Sequence, residues 1–469
     1  MGRPEGSHSR TVFICQQCGR ESLKWLGRCP NCQEWNTFVE KILTTPATSL
    51  RSIPTDNLPQ ELSQVASQAQ DRLPLPITEF NRVLGGGLVP GSMVLISGDP
   101  GIGKSTLLLQ ASALMAQGKG KVVYISAEES LHQVKLRSER LGISGEKLYL
   151  LAETDIEVIL SQVQELQPSL VVIDSIQAVY LPELDTTAGS ITQVRECTLR
   201  LMQWAKRSAV PIFITGHVTK DGTIAGPRVL EHIVDVVLYL EGEAFSSYRL
   251  LHCAKNRFGS TNEVGVFEMR SQGLLEVDNP SQVFLSQRGS ETIGSVVVPT
   301  LEGTRPILVE IQALTNPTSF GLPRRTANGI DFNRLLIITA VLTKRVGLKL
   351  GSQDIIVNVT GGLKIREPAA DLGIALAIAS SFRDLSVDPG LLALGEVGLS
   401  GELRGVSHLD RRLDEVQRLG FRRCLVPKVS AKISPASSKT LNLIPVGTLR
   451  EAIAEGLTPD RKRRGLPND

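Results

Sequence analysis

The chain has 469 residues, of which 41% are hydrophobic and 21% charged, and its 51 basic and 48 acidic residues give a net charge of +3. This composition is typical of a folded protein of two or three domains, and the small net charge excludes a surface that is basic throughout. No apolar run reaches the ~18 residues needed to cross a bilayer, and the first residues lack the apolar segment of a signal peptide, so we expect a cytoplasmic protein without a membrane partner.

Four of the seven cysteines form two CxxC pairs separated by ten residues: Cys15, Cys18, Cys29 and Cys32. Four thiolates at this spacing supply the tetrahedral ligand set that Zn²⁺ prefers, whereas the alternative, two disulfides, is disfavoured in the cytoplasm. The sequence therefore predicts a zinc module over residues 11–44. We expect Trp25 and Trp35 to fill its small core, with stacking on a nucleic-acid base as the alternative.

A polar segment with three prolines, residues 45–72, is interpreted as a linker, and strands alternate with helical patterns after it. The predicted strands are Met93–Ser97, Val122–Ser126, Leu170–Ser175, Pro211–Gly216, Val236–Glu241 and Arg249–Ala254. Because these runs are apolar on both faces, they indicate a mainly parallel α/β sheet covered on both sides, over residues 73–280. A ligand is then expected at the carboxyl ends of the strands.

The segment GDPGIGKST follows the first of these strands and leads into a helical pattern. It matches the phosphate-binding motif GxxxxGKS, whose backbone N–H groups surround phosphate oxygens at a helix N-terminus. The residues predicted to bind the nucleotide are Gly98, Asp99, Pro100, Gly101, Ile102, Gly103, Lys104, Ser105 and Thr106. Lys104 is expected to reach the β- and γ-phosphates, and the Ser105 hydroxyl to bind Mg²⁺.

Other strand ends carry polar residues that suit phosphate chemistry. Asp174 closes the strand LVVID and is expected to hold Mg²⁺ through water. Glu128 and Glu129 follow VVYISA, and one of them is expected to activate the attacking water. His217 ends PIFITGH, where a polar side chain can sense the γ-phosphate.

Three further segments of this region are candidates for contacts outside the nucleotide. KNRFG, at Lys255–Gly259, places two cations after a strand, where they could reach the phosphates of a neighbouring subunit. Two loops, Gln177–Gln193 and residues 217–230, are interpreted as mobile segments that couple hydrolysis to a bound polymer, with ordinary surface loops as the alternative.

A second αβ unit is predicted after about Pro280. It consists of two strands in Gly294–Thr315 around Glu302 and Gly303, a helix at Asp331–Gly347, a strand at Asp354–Thr360, an apolar helix at Ala370–Ser381, and then helix, strand and helix. A basic tail, residues 457–469, follows.

The zinc module, the segment LGGGLVPGS, the motif GDPGIGKST, the pentapeptide KNRFG and the second αβ unit together resemble the bacterial DNA-repair family RadA, also called Sms. The resemblance extends from Thr11 to about Gly456. It implies a RecA-type core that uses ATP, Mg²⁺ and Zn²⁺, and hexameric rings that move along single-stranded and branched DNA and promote branch migration. It also implies a recombinase and a replicative helicase as partners.

The RecA pattern implies specific roles for individual residues. The water-activating glutamate maps to Glu128 rather than Glu129, and the γ-phosphate sensor maps to His217. Lys255 and Arg257 would act across the subunit interface on the transferring phosphate.

Residues 281–456 resemble the protease domain of the Lon family, with two departures. The nucleophilic serine is replaced by Ala369 within Pro368–Ala370, and the position of the lysine base falls near Asp410. The resemblance therefore implies an inactive protease domain that serves as a scaffold of the ring. Its candidate DNA contacts are Lys344, Arg345, Lys349 and Arg366.

Three other functions remain compatible with the sequence. An ATP-dependent protease has this architecture, but Ala369 argues against it. A clock- or signalling-type RecA ATPase that binds proteins shares the LGGGLVPG lead-in and the phosphate loop. The third is a zinc-stabilised ATPase that assembles partners without translocating.

Overall fold

The computed structural model describes residues 9–44, 72–217, 227–242, 246–285, 293–319, 321–430 and 441–457. The chain divides into two compact units, which are described separately. The predictions for the linker before Arg72, for residues 218–226 and for the tail after Leu457 lie outside the described residues. Within the described part, no helix is both long enough and apolar enough to cross a membrane.

The zinc module is a small antiparallel sheet. Its strands are β1 (Ser9–Cys15), β2 (Glu21–Ser22) and β3 (Phe38–Thr44), in the order β2-β1-β3. Cys15 ends β1, Cys18, Cys29 and Cys32 lie outside the three strands, and Cys15, Cys29 and Phe38 are buried together.

The rest of the first unit is built on a parallel sheet. Its strands are β4 (Met93–Gly98), β5 (Val122–Ser126), β6 (Leu148–Leu151), β7 (Leu170–Asp174), β8 (Ile212–His217) and β9 (Val236–Glu241). They pair in the order β9-β4-β8-β7-β5-β6, all parallel. The predicted parallel sheet is therefore confirmed, whereas the short strand β6 was not predicted.

Helices cover both faces of this sheet. They are α1 (Thr78–Leu84), α2 (Lys104–Lys119), α3 (Leu131–Arg140), α4 (Ile156–Leu166), α5 (Ile191–Ser208) and α6 (Pro227–Glu231). Helices α4 and α5 pack on one set of alternating strand side chains, and α2 contacts strands from the other face. Local signals set several helix starts, since the side chains of Ser130, Asp155 and Ser190 cap α3, α4 and α5.

The chain then passes between the two units within three strands, β10 (Tyr248–Asn256), β11 (Val264–Arg270) and β12 (Gly273–Glu276). Strands β10 and β11 are antiparallel, and Leu250 faces Val266 in their register. Cys253–Thr261 and Arg270–Leu274 belong to the first unit, and the residues between them belong to the second.

The second unit has a seven-stranded mixed sheet in the order β15-β16-β14-β13-β17-β20-β21. Its strands are β13 (Ser295–Glu302), β14 (Arg305–Pro317), β15 (Arg325–Asn328), β16 (Gln353–Val359), β17 (Leu391–Ala393), β20 (Arg423–Pro427) and β21 (Asn442–Val446), and β18 (Glu396–Val397) pairs separately with β19 (Leu403–Arg404). Its helices are α7 (Pro280–Leu285), α8 (Phe332–Val341), α9 (Asp371–Arg383), α10 (Leu409–Arg418) and α11 (Leu449–Gly456).

The predicted strands and helices of this unit are present, but strands β15, β17, β18 and β19 and the short helix α7 were not predicted. Strands β13 and β14 form a hairpin in which Glu302 faces Arg305 across a turn at Gly303. Helix α9 is apolar, as predicted, and its first ten residues are buried against the sheet. After α10, however, two strands precede the last helix where one was predicted.

Candidate functional site

The phosphate-binding motif forms a tight loop between β4 and α2. Gly98 has a φ of 150°, and a Cβ at this position would lie 2.3 Å from the carbonyl oxygen of Leu240. Gly103 has a φ of 115° and is the N-cap of α2, so no side chain caps the first turn of this helix. Because both conformations favour glycine, the loop exposes backbone N–H groups at the positive end of a helix. This arrangement fits a phosphate group.

Lys104 is folded over this loop and is only 3% exposed. Its Nζ donates hydrogen bonds to the carbonyl oxygens of Gly98, at 2.8 Å, and Asp99, at 3.1 Å. Burial lowers the pKa of the Lys104 ammonium, and the acidic side chains of Asp174, Asp99 and Glu128 oppose this shift. The loop thus holds a partly desolvated cation where the motif requires one.

Asp174 ends β7, between β5 and β8, and is oriented by two neutral donors. The Tyr124 hydroxyl lies 2.5 Å from its Oδ2, and the Thr215 hydroxyl lies 2.6 Å from its Oδ1. Burial, and then the Asp174 charge, raise the pKa of Tyr124, which therefore stays a donor. A carboxylate fixed in this way at a strand end fits the water-mediated Mg²⁺ ligand that was predicted.

The structure distinguishes the two adjacent glutamates. Glu129 forms an ion pair with Arg137, on α3. Glu128 instead accepts a hydrogen bond from the hydroxyl of Ser175, which follows Asp174 through a cis peptide bond. Glu128 is thereby held beside the strand end that carries Asp174. The backbone of His217 ends β8, where it faces Gly98 across the sheet.

The cations of KNRFG lie at the opposite edge of the sheet. Arg257 Nη1 donates to Asp235 Oδ1 at 3.2 Å, and Asp235 Oδ2 accepts from the backbone N–H of Met93 at 3.1 Å. Met93 begins β4, whereas Gly98 ends it, so the two sites are separated by about 17 Å of strand. Arg257 therefore does not reach the phosphate loop of its own chain.

Lys255 is held at the same edge. Its Nζ donates to the carbonyl oxygens of Glu231, at 2.6 Å, and Val234, at 2.8 Å. Burial, and then the nearby Arg257 charge, lower the pKa of Lys255, while Asp235 and Glu231 oppose the shift. The carbonyl oxygens fix the position of this ammonium at this edge of the sheet.

Arg72, a residue that the sequence did not indicate, joins KNRFG to the glycine-rich turn after α1. Its Nη2 donates to the carbonyl oxygen of Phe258 at 2.6 Å, and its Nη1 donates to that of Leu84 at 2.9 Å. The Leu84 oxygen also accepts from the Asn256 side chain, at 3.4 Å. Arg72 thus connects the end of the predicted linker to the pentapeptide.

The four clustered cysteines fit a zinc ion. Their Sγ atoms all lie within 4.8 Å of one another, and all seven cysteines of the chain are free. Zn–S bonds of about 2.3 Å place tetrahedral sulfur atoms about 3.8 Å apart, close to the 3.6 Å between Cys15 and Cys32. Burial raises the pKa of Cys15, but its hydrogen bonds with Thr37 and with the backbone outweigh burial and lower the pKa to about 6.

The expectation that the module's tryptophans fill its core is wrong. Trp25 is 53% exposed and Trp35 67% exposed, and the buried core consists of Cys15, Cys29 and Phe38. With Phe13 and the other two clustered cysteines packed against this core, the larger rings are left outside.

The loop Gln177–Gln193 is anchored rather than free. The Gln193 side chain, which is buried, accepts from the backbone N–H of Leu181 at 2.8 Å and donates to the carbonyl oxygen of Thr186 at 2.9 Å. The candidate DNA contacts of the second unit are all exposed: Lys344, Arg345, Lys349 and Arg366.

The region equivalent to a Lon active site has no nucleophile at the expected position. Ala369 is 4% exposed and packs among apolar side chains. Beside it, Arg412 is fully buried and pairs with Glu367, with 2.7 Å between Nη1 and Oε1, while Asp410 is exposed. The arrangement is a buried ion pair next to a methyl group, which offers no acyl-transfer chemistry.

Comparison with protein families finds three matching domains. Residues 59–223 match the AAA domain, residues 13–40 match the rubredoxin metal binding domain, and residues 314–430 match subunit ChlI of Mg-chelatase. The α/β architecture with a zinc ribbon, an AAA/RecA-like core and a ChlI/Lon-like domain is thereby confirmed.

Comparison with curated proteins finds close relatives over almost the full length. The chain is 53% identical to the DNA repair protein RadA of Halalkalibacterium halodurans, over 95% of this chain and 98% of that protein. It is 52% identical to the DNA repair protein RadA of Bacillus subtilis, over 96% of this chain and 99% of that protein. The corresponding protein of Listeria monocytogenes is 51% identical over 96% of this chain and 98% of its own length.

Proposed function

The chain belongs to the RadA family of DNA repair proteins, and on this premise we propose that it binds single-stranded and branched DNA and promotes branch migration of recombination intermediates. It does so as a homo-oligomeric, hexameric ring that translocates by ATP hydrolysis in the cytoplasm, with a recombinase and a replicative helicase as partners. The chain is an AAA/RecA-like ATPase with ATP, Mg²⁺ and Zn²⁺ as cofactors. The proposed domains are the zinc module at 11–44, the ATPase at 73–280 and the inactive Lon-like domain at 281–456.

One observation carries this proposal: the phosphate loop and the KNRFG cations lie at opposite edges of one sheet. A single chain then has an incomplete site, since its own Lys255 and Arg257 are about 17 Å of strand away from its phosphate loop. A head-to-tail arrangement of subunits supplies those cations from the next chain, and such an arrangement closes into a ring. Hydrolysis at one site is then coupled to the contacts of the adjacent subunit.

We assign the chemical roles within the site as follows. The loop backbone and Lys104 bind and orient the β- and γ-phosphates. Ser105 and Asp174 would hold Mg²⁺, which neutralises phosphate charge when bound. Glu128, beside Asp174, accepts the proton of the attacking water, since Glu129 is engaged by Arg137. In DNA binding, contacts of basic side chains with the phosphate backbone supply the part of the affinity that does not depend on the base sequence.

A subunit-mixing experiment tests the assignment across the interface. Lys104→Ala chains have a defective phosphate loop but intact KNRFG, and Lys255→Ala chains have the reverse. Each variant alone is expected to be inactive. A working site then needs the phosphate loop of a Lys255→Ala chain next to the KNRFG of a Lys104→Ala chain. In an equimolar mixture this arrangement occurs at about one quarter of the sites, so about a quarter of wild-type hydrolysis should return. A mixture as inactive as its components would contradict a site shared between subunits.

DNA dependence is measured in the same assay. Hydrolysis should rise with single-stranded DNA, and the stimulation should weaken with salt because phosphate contacts release counterions. Hydrolysis that is indifferent to DNA at low and high salt would favour an ATPase that binds proteins.

A further inference from the structure

The zinc module exposes two tryptophans that lie outside its buried core. Its core is closed by Cys15, Cys29 and Phe38, yet the rings of Trp25 and Trp35 are more than half exposed. Large aromatic side chains contribute most to stability when their faces are covered, and leaving two of them in water is unfavourable for a small module. The exposed rings therefore indicate a surface that is covered by a ligand.

The two tryptophans lie on adjacent backbone segments. The Trp25 ring lies against Gly27, 3.7 Å from the position that a Cβ would take there. Arg28 and Trp35 form an antiparallel bridge, and the Asn36 N–H donates to the Gly27 carbonyl oxygen at 2.8 Å. The two tryptophans are therefore carried by backbone segments about 5 Å apart.

Cations alternate with these rings. The Arg28 guanidinium lies 5.6 Å from the centroid of the Trp35 ring and is held there by Gln33, whose carbonyl oxygen accepts from Arg28 Nε at 2.7 Å. Lys24 is exposed and precedes Trp25 directly. Flat apolar rings with a held guanidinium over one of them and an exposed lysine next to the other in sequence match the bases and phosphates of a single strand, whereas a duplex conceals its base faces.

We propose that the surface formed by Lys24, Trp25, Arg28 and Trp35, here called the tryptophan surface, binds single-stranded nucleic acid by stacking bases on Trp25 and Trp35. Lys24 and Arg28 contact the phosphates of the same strand. This goes beyond the proposed function, because it places a second nucleic-acid contact outside the ATPase core and does not depend on ATP hydrolysis or on a ring.

The fluorescence of the module itself provides the test. The chain has three tryptophans, so Trp204→Phe leaves only Trp25 and Trp35 as emitters. We expect a short oligothymidylate to quench this emission saturably in the full-length, zinc-loaded chain without ATP, and inorganic phosphate at equal charge to leave it unchanged. Absence of quenching at low salt would overturn the proposal and leave the surface to a protein partner.

Substitutions separate stacking from charge. Trp25→Ala and Trp35→Ala should each weaken oligonucleotide binding about 10-fold, whereas Trp→Phe at either position retains most of it. Lys24→Ala and Arg28→Ala should reduce the salt dependence of binding. Tyr149→Ala, at an exposed aromatic residue outside the module, serves as the matched control. Wild-type affinity in both tryptophan→alanine variants, with zinc content unchanged, would refute the surface even if DNA still stimulates hydrolysis.

Discussion

Removing one hydroxyl group, in Tyr124→Phe, tests whether Asp174 is positioned by its neighbours. The Tyr124 side chain is fully buried and donates to Asp174 Oδ2 at 2.5 Å, while Thr215 donates to Oδ1. The substitution keeps the ring and its packing and removes only the donor. Asp174 then retains a single neutral donor, and its free oxygen is no longer fixed.

The size of the effect follows from the charge of the acceptor. A buried hydrogen bond to a charged group contributes about 1.5–3 kcal/mol, so the free energy of unfolding should fall by that amount. Residues that orient a metal ligand typically change metal affinity or activity by about 10-fold or more. We therefore expect a 10-fold lower rate of ATP hydrolysis at limiting Mg²⁺, partly restored at high Mg²⁺.

The assay compares Tyr124→Phe with Tyr149→Phe, the same change at an exposed tyrosine on β6. Urea unfolding gives the stability and is followed by the emission of Trp204, in chains that also carry Trp25→Phe and Trp35→Phe so that Trp204 is the one tryptophan left. A Mg²⁺ titration of ATP hydrolysis gives the functional effect. If the two variants have the same unfolding midpoint and the same Mg²⁺ dependence, the Tyr124 hydroxyl does not position Asp174.

Three other changes have defined outcomes. Gly98→Ala puts a methyl group against a carbonyl oxygen and should lower stability by about 1–3 kcal/mol and abolish ATP binding measured by calorimetry; an unchanged melting temperature would contradict the loop geometry. Arg72→Ala removes the donor to the Phe258 carbonyl oxygen and should lower DNA-stimulated hydrolysis several-fold at unchanged ATP affinity. The control is Arg140→Ala, at an exposed arginine, and equal rates in the two variants would exclude a positioning role for Arg72. Cys15→Ala should release zinc, as measured by atomic absorption, and retention of one equivalent would disprove the ligand set.

The strands and the phosphate loop could be predicted from the sequence because each is a local pattern. Apolar runs of five or six residues predicted strands β4, β5, β7, β8 and β9 with each boundary within one residue of the observed one, and the glycine spacing predicted the loop. Strand β6 was missed because LYLL lies at the sheet edge, is only partly buried, and has too few residues to show a period.

The residues around Asp174 could not be predicted in the same way. In the sequence, Tyr124 and Thr215 are indistinguishable from other residues of apolar strands. Both reach the Asp174 carboxylate because β7 lies between β5 and β8 in the sheet. Arg72 contacts Phe258, which is 186 positions away, so no local pattern could connect them. The tryptophans of the zinc module were assigned to a core because aromatic residues usually lie inside, but a metal ion can replace a core in so short a segment.

Because the chain alternates between its two units, the order of folding during synthesis and the choice of fragments for expression are both restricted. The first unit needs Cys253–Thr261 and Arg270–Leu274, which are made after the first residues of the second unit. A nascent chain therefore cannot complete its ATPase fold until Leu274 has left the ribosome. A fragment ending at Glu241 lacks KNRFG altogether, and one ending at Leu274 carries two segments of the other unit, so the first unit cannot be expressed by itself from one uninterrupted piece of the gene.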